Sequence, residues 1–263
     1  MIRTLALEVT GKGPVRLPFG LPVYLTLRED GDMGPSGARV QNRRDGVLRR
    51  LGVDPGRYVT VRQVHSREVQ VVSRERSPAD VGEADGLLSD DDGLALGVTV
   101  ADCVPVFLHA PRADVFGVLH SGWRGTGIAA EAVRLIGHRF GVSPEEVSAM
   151  IGPSIGPCCY EVDGSRAKTF AGAWGADTVI EREGSFYLDL RRANAELLAA
   201  EGVTDVSVVD ACTACSPRLG SYRREGADAF TRMMAVIVGS NGVKSIEGGG
   251  RASDAGQLNS RER

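Results

Sequence analysis

Lysine is almost missing from this chain of 263 residues: Lys12, Lys168 and Lys244 are its only three, so nearly all of the 31 basic side chains are arginine. Set against 34 acidic residues they leave a formal net charge of −3, which excludes a whole-molecule positive field for nucleic acid or an anionic membrane. A local basic pocket is still compatible with that balance. Arginine suits a bidentate grip on phosphate or carboxylate, but base composition of the genome accounts for the bias without any function. Histidine is scarce as well, at four residues, too few for a multinuclear copper assembly.

Cysteine occurs five times, at positions 103, 158, 159, 212 and 215. An odd number in a chain expected to stay in the cytosol argues for thiols, metal ligands or reactive groups over a disulfide framework. The apolar start, Met1 to Leu7, is cut short by Glu8 and is too brief for a secretory core, so a cytoplasmic protein is expected. The longest apolar stretch, Leu94 to Pro111, contains Asp102 and Pro105, which fits a buried strand pair better than a membrane helix. No internal repeat or linker divides the chain.

What is present is ordinary globular material, 42% hydrophobic and 25% charged, enough to bury a core without staples. Short strands are expected before residue 30, then a loop over 31–37, an amphipathic helix from Val40 to Leu51, and strands at 58–64 and 69–72. Further strands fit 93–100, 104–108, 115–119, 147–151 and 206–209; helices fit 126–140, 164–174 and 189–201, with a last one near 226–239. The order describes an α/β (α+β) fold, a single domain over 1–243 with a loose glycine-rich tail at 244–263.

Three metal-ligand side chains, His65, Cys103 and His120, each stand where an apolar strand runs into a turn. Separations of 38 and 17 residues exclude a local zinc knuckle and leave a site assembled by the fold. Two imidazoles and a thiolate would hold Zn²⁺ with its fourth position open to water, whose pKa falls from 15.7 to roughly 7. A buried free cysteine beside two ordinary histidines satisfies the same spacing. The glycines of His120 to Gly127 open a strand-to-helix turn where backbone amides could dock an anion, with Arg124 either a charged fork or a lid stacked on Trp123. Cys212-Thr213-Ala214-Cys215 reads as a redox or metal motif, and Cys158-Cys159 could complete a four-thiolate zinc site.

Taken together, Gln63-Val64-His65-Ser66, Ala101-Asp102-Cys103-Val104-Pro105-Val106 and His120-Ser121-Gly122-Trp123-Arg124-Gly125 resemble the signature of the YfiH family. The likeness continues through Gly152 to Val162, Leu188-Asp189-Leu190, Cys212-Thr213 and Ser221-Tyr222-Arg223-Arg224, with Asn42-Arg43 upstream, and covers about residues 30–243. It implies mixed sheets sandwiched by helices, related to cysteine hydrolase-like proteins and usually monomeric. It implies His65, Cys103 and His120 as zinc ligands, copper being the alternative of older "laccase" labels. The implied activity is phosphorolysis of adenosine, inosine or methylthioadenosine, with a separate adenosine deaminase activity, so the partners would be a purine nucleoside and phosphate. Arg43, Arg124 and Arg223 would hold anions, and Asp102 would orient a ligand imidazole or move a proton, unless it only caps its own turn. Ser66 stands where the family often has glycine, and Leu119 and Ser121 replace smaller neighbours of His120. Other readings are an editing role on cell-wall precursors and a hydrolase with Cys103 as nucleophile and His120 as base.

Overall fold

Alternation along the apolar strands fixes the layering. In Val104–Ala110 and Val115–Ser121, Val106, Leu108, Val115 and Leu119 enter one core while Phe107, Phe116 and Val118 enter another. Period-2 geometry requires such a split when both faces are covered. The computed structural model describes residues 2–34, 37–73 and 81–243; the expected tail at 244–263 lies outside them.

These strands belong to a seven-stranded mixed sheet, ordered Ile2–Leu5, Asp205–Val209, Ser148–Ile151, Val104–Ala110, Val115–Ser121, Gly86–Ser89 and Val69–Val72. Helices Ile128–Phe140 and Leu190–Ala200 cover one face through Ile128, Val133, Ile136, Leu190 and Leu198. The other face packs on a five-stranded sheet, ordered Val15–Leu17, Val23–Leu25, Met233–Val238, Ala95–Val100 and Tyr58–Thr60. Helix Ala38–Arg50 closes the far side with Val47 and Leu48 against Met234 and Val236. The result is helix, sheet, sheet, helix, with a small three-stranded sheet of Glu161–Val162, Ser185–Leu188 and Val179–Arg182 beside it. Among the described residues no helix is long and apolar enough to cross a membrane.

One expected element is wrong. The last helix near 226–239 is instead a short helical turn, Tyr222–Glu225, followed by strand Met233–Val238 in the centre of the five-stranded sheet. All six of its residues are buried, alternately in two cores. A run buried on both faces shows no period of two, so the pattern could not separate strand from helix.

Crossing between the sheets builds the site. The chain leaves Ala95–Val100 of one sheet, turns through Ala101–Cys103, and enters Val104–Ala110 of the other. Asp102 in that turn takes a φ of 84° and His65 one of 60°, left-handed conformations that non-glycine residues adopt at a cost.

Candidate metal centre

His65, Cys103 and His120 converge: each offers a ligand atom, and these atoms lie within 4.8 Å of one another. The two imidazoles meet edge to face at 4.9 Å between centroids. Gly122 leaves the room, since a Cβ there would stand 3.0 Å from the Cys103 sulfur and 3.3 Å from the His65 ring. A thiolate with two imidazoles is a borderline-soft donor set suited to a tetrahedral ion with one open position, so the residues present fit a metal.

Asp85, fully buried, organises the centre from behind. One carboxylate oxygen lies 2.7 Å from His120 Nδ1. The other accepts the Val64 and Ser66 backbone N–H groups at 3.2 and 2.6 Å and the Ser66 hydroxyl at 2.9 Å. One side chain thereby fixes the imidazole of His120, leaving Nε2 for a metal, and the loop that carries His65. Ser66 thus gives Asp85 two donors, its N–H and its hydroxyl. The bulk of Leu119 is accommodated by its cross-strand partner Gly86, whose added Cβ would come within 2.6 Å of it. Gln63 ties the same loop to the five-stranded sheet: its side-chain amide donates to the Thr99 carbonyl at 2.9 Å and accepts the Thr99 N–H at 2.7 Å.

The electrostatics follow from that packing. Burial alone would raise the Asp85 carboxyl, but the His120 hydrogen bond and the Ser66 N–H outweigh it and hold the group at about 2. Burial would likewise raise the Cys103 thiol, yet the charge and hydrogen bonds of His120 and His65 bring it to about 6. His120 moves the other way: burial would lower it, and the Cys103 thiolate with Asp85 raises it to about 9. Because the Asp85 carboxyl is depressed on folding, its contribution is complete above the unfolded value of 3.8 and is lost as pH falls through about 2. In chelator-treated protein, Asp85→Asn should therefore cost about 2 kcal/mol in urea unfolding at pH 7, a gap that narrows below pH 4. A gap unchanged between pH 7 and pH 3 would place the effect elsewhere than in the charge.

The three side chains line a cavity of about 960 Å³, large enough for a cofactor-sized molecule. Six arginines line it, at 44, 62, 124, 166, 223 and 232, against one aspartate, Asp102. Arg62 pairs with Glu83, Arg232 with Asp32 at 3.3 Å and Arg166 loosely with Asp163 at 3.9 Å. Arg44, Arg124 and Arg223 have no carboxylate partner among the described residues. Arg44 is only 5% exposed, held by Nε and Nη2 on the Met33 carbonyl, with Nη1 unpartnered among the described residues. A buried cation without an anion is costly, which sets Arg44 apart from the paired arginines of the lining.

The expected residues divide accordingly. Arg124, over Trp123 at 5.3 Å, and Arg223, over Tyr160 at 5.5 Å, reach the cavity. Arg43 does not line it; its Nη1 donates to the Asp32 carbonyl at 2.6 Å. Its neighbour Arg44 takes that place, on the buried stripe with Val47 and Leu48. Asp102 does not orient an imidazole: its oxygens accept the Thr213 hydroxyl at 2.6 Å and the Arg223 N–H at 2.7 Å, and Asp85 has the orienting part. The helix start after His120 also lies outside the lining, because Gly127 packs against Trp174 and Arg67. Asp85 and Arg44 escaped the sequence reading; only the buried stripe offered a signal, and only for Arg44.

A layered α/β fold with a strand-end His₂Cys centre under an arginine-lined cavity defines the class. Residues 23–240 match the family described as multi-copper polyphenol oxidoreductase laccase, and the chain belongs to that family. Among its relatives is YlmD of Geobacillus stearothermophilus, named a purine nucleoside phosphorylase. It is 34% identical over 220 residues, covering 78% of this chain and 80% of the relative. Its crystal structure superposes with a TM-score of 0.78 at 32% identity, over 88% of this chain and 97% of that one. An adenosine deaminase named RL5, from an unknown prokaryotic organism, is 34% identical over 197 residues, or 70% of this chain and 75% of that protein. The YfiH structure from Bacillus licheniformis also aligns with a TM-score of 0.78, at 27% identity, over 90% of this chain and 98% of that one.

Proposed function

We propose that this chain is a zinc-dependent enzyme that cleaves purine nucleosides with phosphate and, as a second activity, deaminates adenosine. The observation that carries the reading is the convergence of His65, Cys103 and His120 on an arginine-lined cavity. The names of its relatives, a purine nucleoside phosphorylase and an adenosine deaminase, supply the substrate class.

Bound by His65, Cys103 and His120, zinc would supply Lewis acidity and a water of lowered pKa at neutral pH. The chain's own residues do the rest. Asp85 holds His120 in orientation. Arg44, Arg124 and Arg223 set three guanidinium groups without carboxylate partners around the cavity, where a phosphate can be gripped and its attack on the sugar carbon oriented. The apolar lining of Ile155, Tyr160 and Leu190 suits a purine face and excludes water from it.

Adenosine incubated with purified protein, with and without phosphate, should yield adenine only when phosphate is present and inosine in either case. Absence of both products would overturn the reading.

The depressed Cys103 thiol beside the raised His120 imidazole favours a second reading, a Cys–His hydrolase. Metal analysis separates the two: a hydrolase is active without bound metal and dies on thiol alkylation, whereas the zinc enzyme loses activity to a strong chelator and regains it with Zn²⁺. A multinuclear copper centre lacks the donors, because His109 stands by Phe19 at 6.3 Å and His138 lies in the last turn of helix Ile128–Phe140.

A further inference from the structure

The four cysteines that the centre leaves unused are gathered in one place. Cys158 and Cys159 lie in the turn after strand Ser148–Ile151, and Cys212 and Cys215 in the loop after strand Asp205–Val209. Their sulfurs all lie within 4.8 Å of one another. Cys215 stands 3.6 Å from Cys158 and 3.4 Å from Cys159. Four Zn–S bonds of about 2.3 Å at tetrahedral angles put sulfurs about 3.8 Å apart, so the spacing is that of ligands to one ion. A disulfide needs about 2.05 Å, and all four are free thiols.

Backbone geometry produces the cluster. Adjacent side chains such as Cys158 and Cys159 ordinarily point apart, but a tight turn closed by the Cys159 and Tyr160 N–H groups, both 3.0 Å from the Gly156 carbonyl, brings both sulfurs to Cys215. The Gly156 N–H donates to the Cys212 sulfur at 3.3 Å. N–H groups on a sulfur stabilise a thiolate and orient a metal ligand. Gly156 is needed there, since a Cβ would come within 3.3 Å of the Cys158 sulfur and 3.0 Å of the buried Arg191 guanidinium. Arg191 is itself paired with Asp210 at 3.1 Å, so the charge that four thiolates leave around a dication faces solvent at the exposed Cys158 and Cys215.

We propose that Cys158, Cys159, Cys212 and Cys215 form a second, structural zinc site that joins the two loops behind the cavity wall. The proposal is independent of the reaction assigned above. Entry of Zn²⁺ releases the thiol protons to solvent and closes the coordination shell, leaving no position for substrate. What the site holds is the wall itself: Arg223 donates to the carbonyls of Cys159 and Glu161 at 3.0 and 2.9 Å, and Arg224 binds the carbonyls of Thr213, Ala214 and Ser216. Both clamped loops thus carry the anchors of the segment that delivers Arg223.

The test is zinc content of the full chain, purified under reducing conditions from zinc-supplemented cells. Wild type should carry two zinc ions, Cys103→Ala one, and the Cys158→Ser, Cys215→Ser double variant one. X-ray absorption on Cys103→Ala should then show four sulfurs at about 2.3 Å. One ion in wild type and none in Cys103→Ala overturns the thiolate site and leaves the catalytic centre standing; one ion in each upholds the thiolate site and removes the catalytic centre instead. A disulfide among these cysteines by mass spectrometry, or iron in place of zinc, also overturns it. Should the double variant not fold, wild type and Cys103→Ala still decide.

Discussion

Cys103→Ala is expected to lower phosphate-dependent adenine release and inosine formation at least ~10³-fold, the factor that several kcal/mol of metal-derived stabilisation carries. The sulfur lies at the meeting point of both imidazoles, and no other thiol among the described residues reaches them. Alanine fills less space than cysteine and leaves Gly122 uncrowded, so the fold should persist. Retained activity in a folded variant that has lost the zinc of this centre would end the metal reading. Asp85→Asn should act more mildly on the same centre, lowering zinc affinity about 10- to 100-fold as outer-shell substitutions do; competition against a chelator of known affinity measures it.

Arg44→Met should raise KM for phosphate about 10- to 100-fold, the weight of a charge-assisted hydrogen bond of roughly 1.5–3 kcal/mol. Stability is the discriminating readout. A buried guanidinium without a carboxylate partner costs desolvation, so an apolar side chain of similar length should leave the urea midpoint unchanged or higher while phosphate binding fails. A lower midpoint with unaltered KM for phosphate would instead reduce Arg44 to a tether for the Met33 carbonyl. Arg43→Met, outside the cavity, should leave KM for phosphate near wild type.

The two outcomes show how unevenly the site could be read. His65, Cys103 and His120 were legible because each is a ligand-type residue at the end of an apolar run, a coincidence of chemistry and pattern that survives in one dimension. Asp85 has no such signature: an aspartate between alanine and glycine looks like any turn residue until His120, 35 positions away, is folded onto it. That Arg44 and not Arg43 lines the cavity is a matter of helix phase, since adjacent residues point about 100° apart and only packing of Val47 and Leu48 on the sheet decides which guanidinium faces inward. The strand Met233–Val238 failed for the complementary reason, that burial on both faces erases the alternation which distinguishes strand from helix.

Residue chemistry and local pattern by themselves pointed to three candidate ligands and to most of the strands and helices, and the ordered motifs pointed to the family. Tertiary structure decided what those parts do to one another: which carboxylate orients the imidazole, which arginine is buried without a counter-charge, and that four cysteines from two distant loops share one point. Hydrophobic alternation acts between near neighbours and is written along the chain, whereas coordination and charge pairing depend on distances that exist only after two sheets have packed face to face.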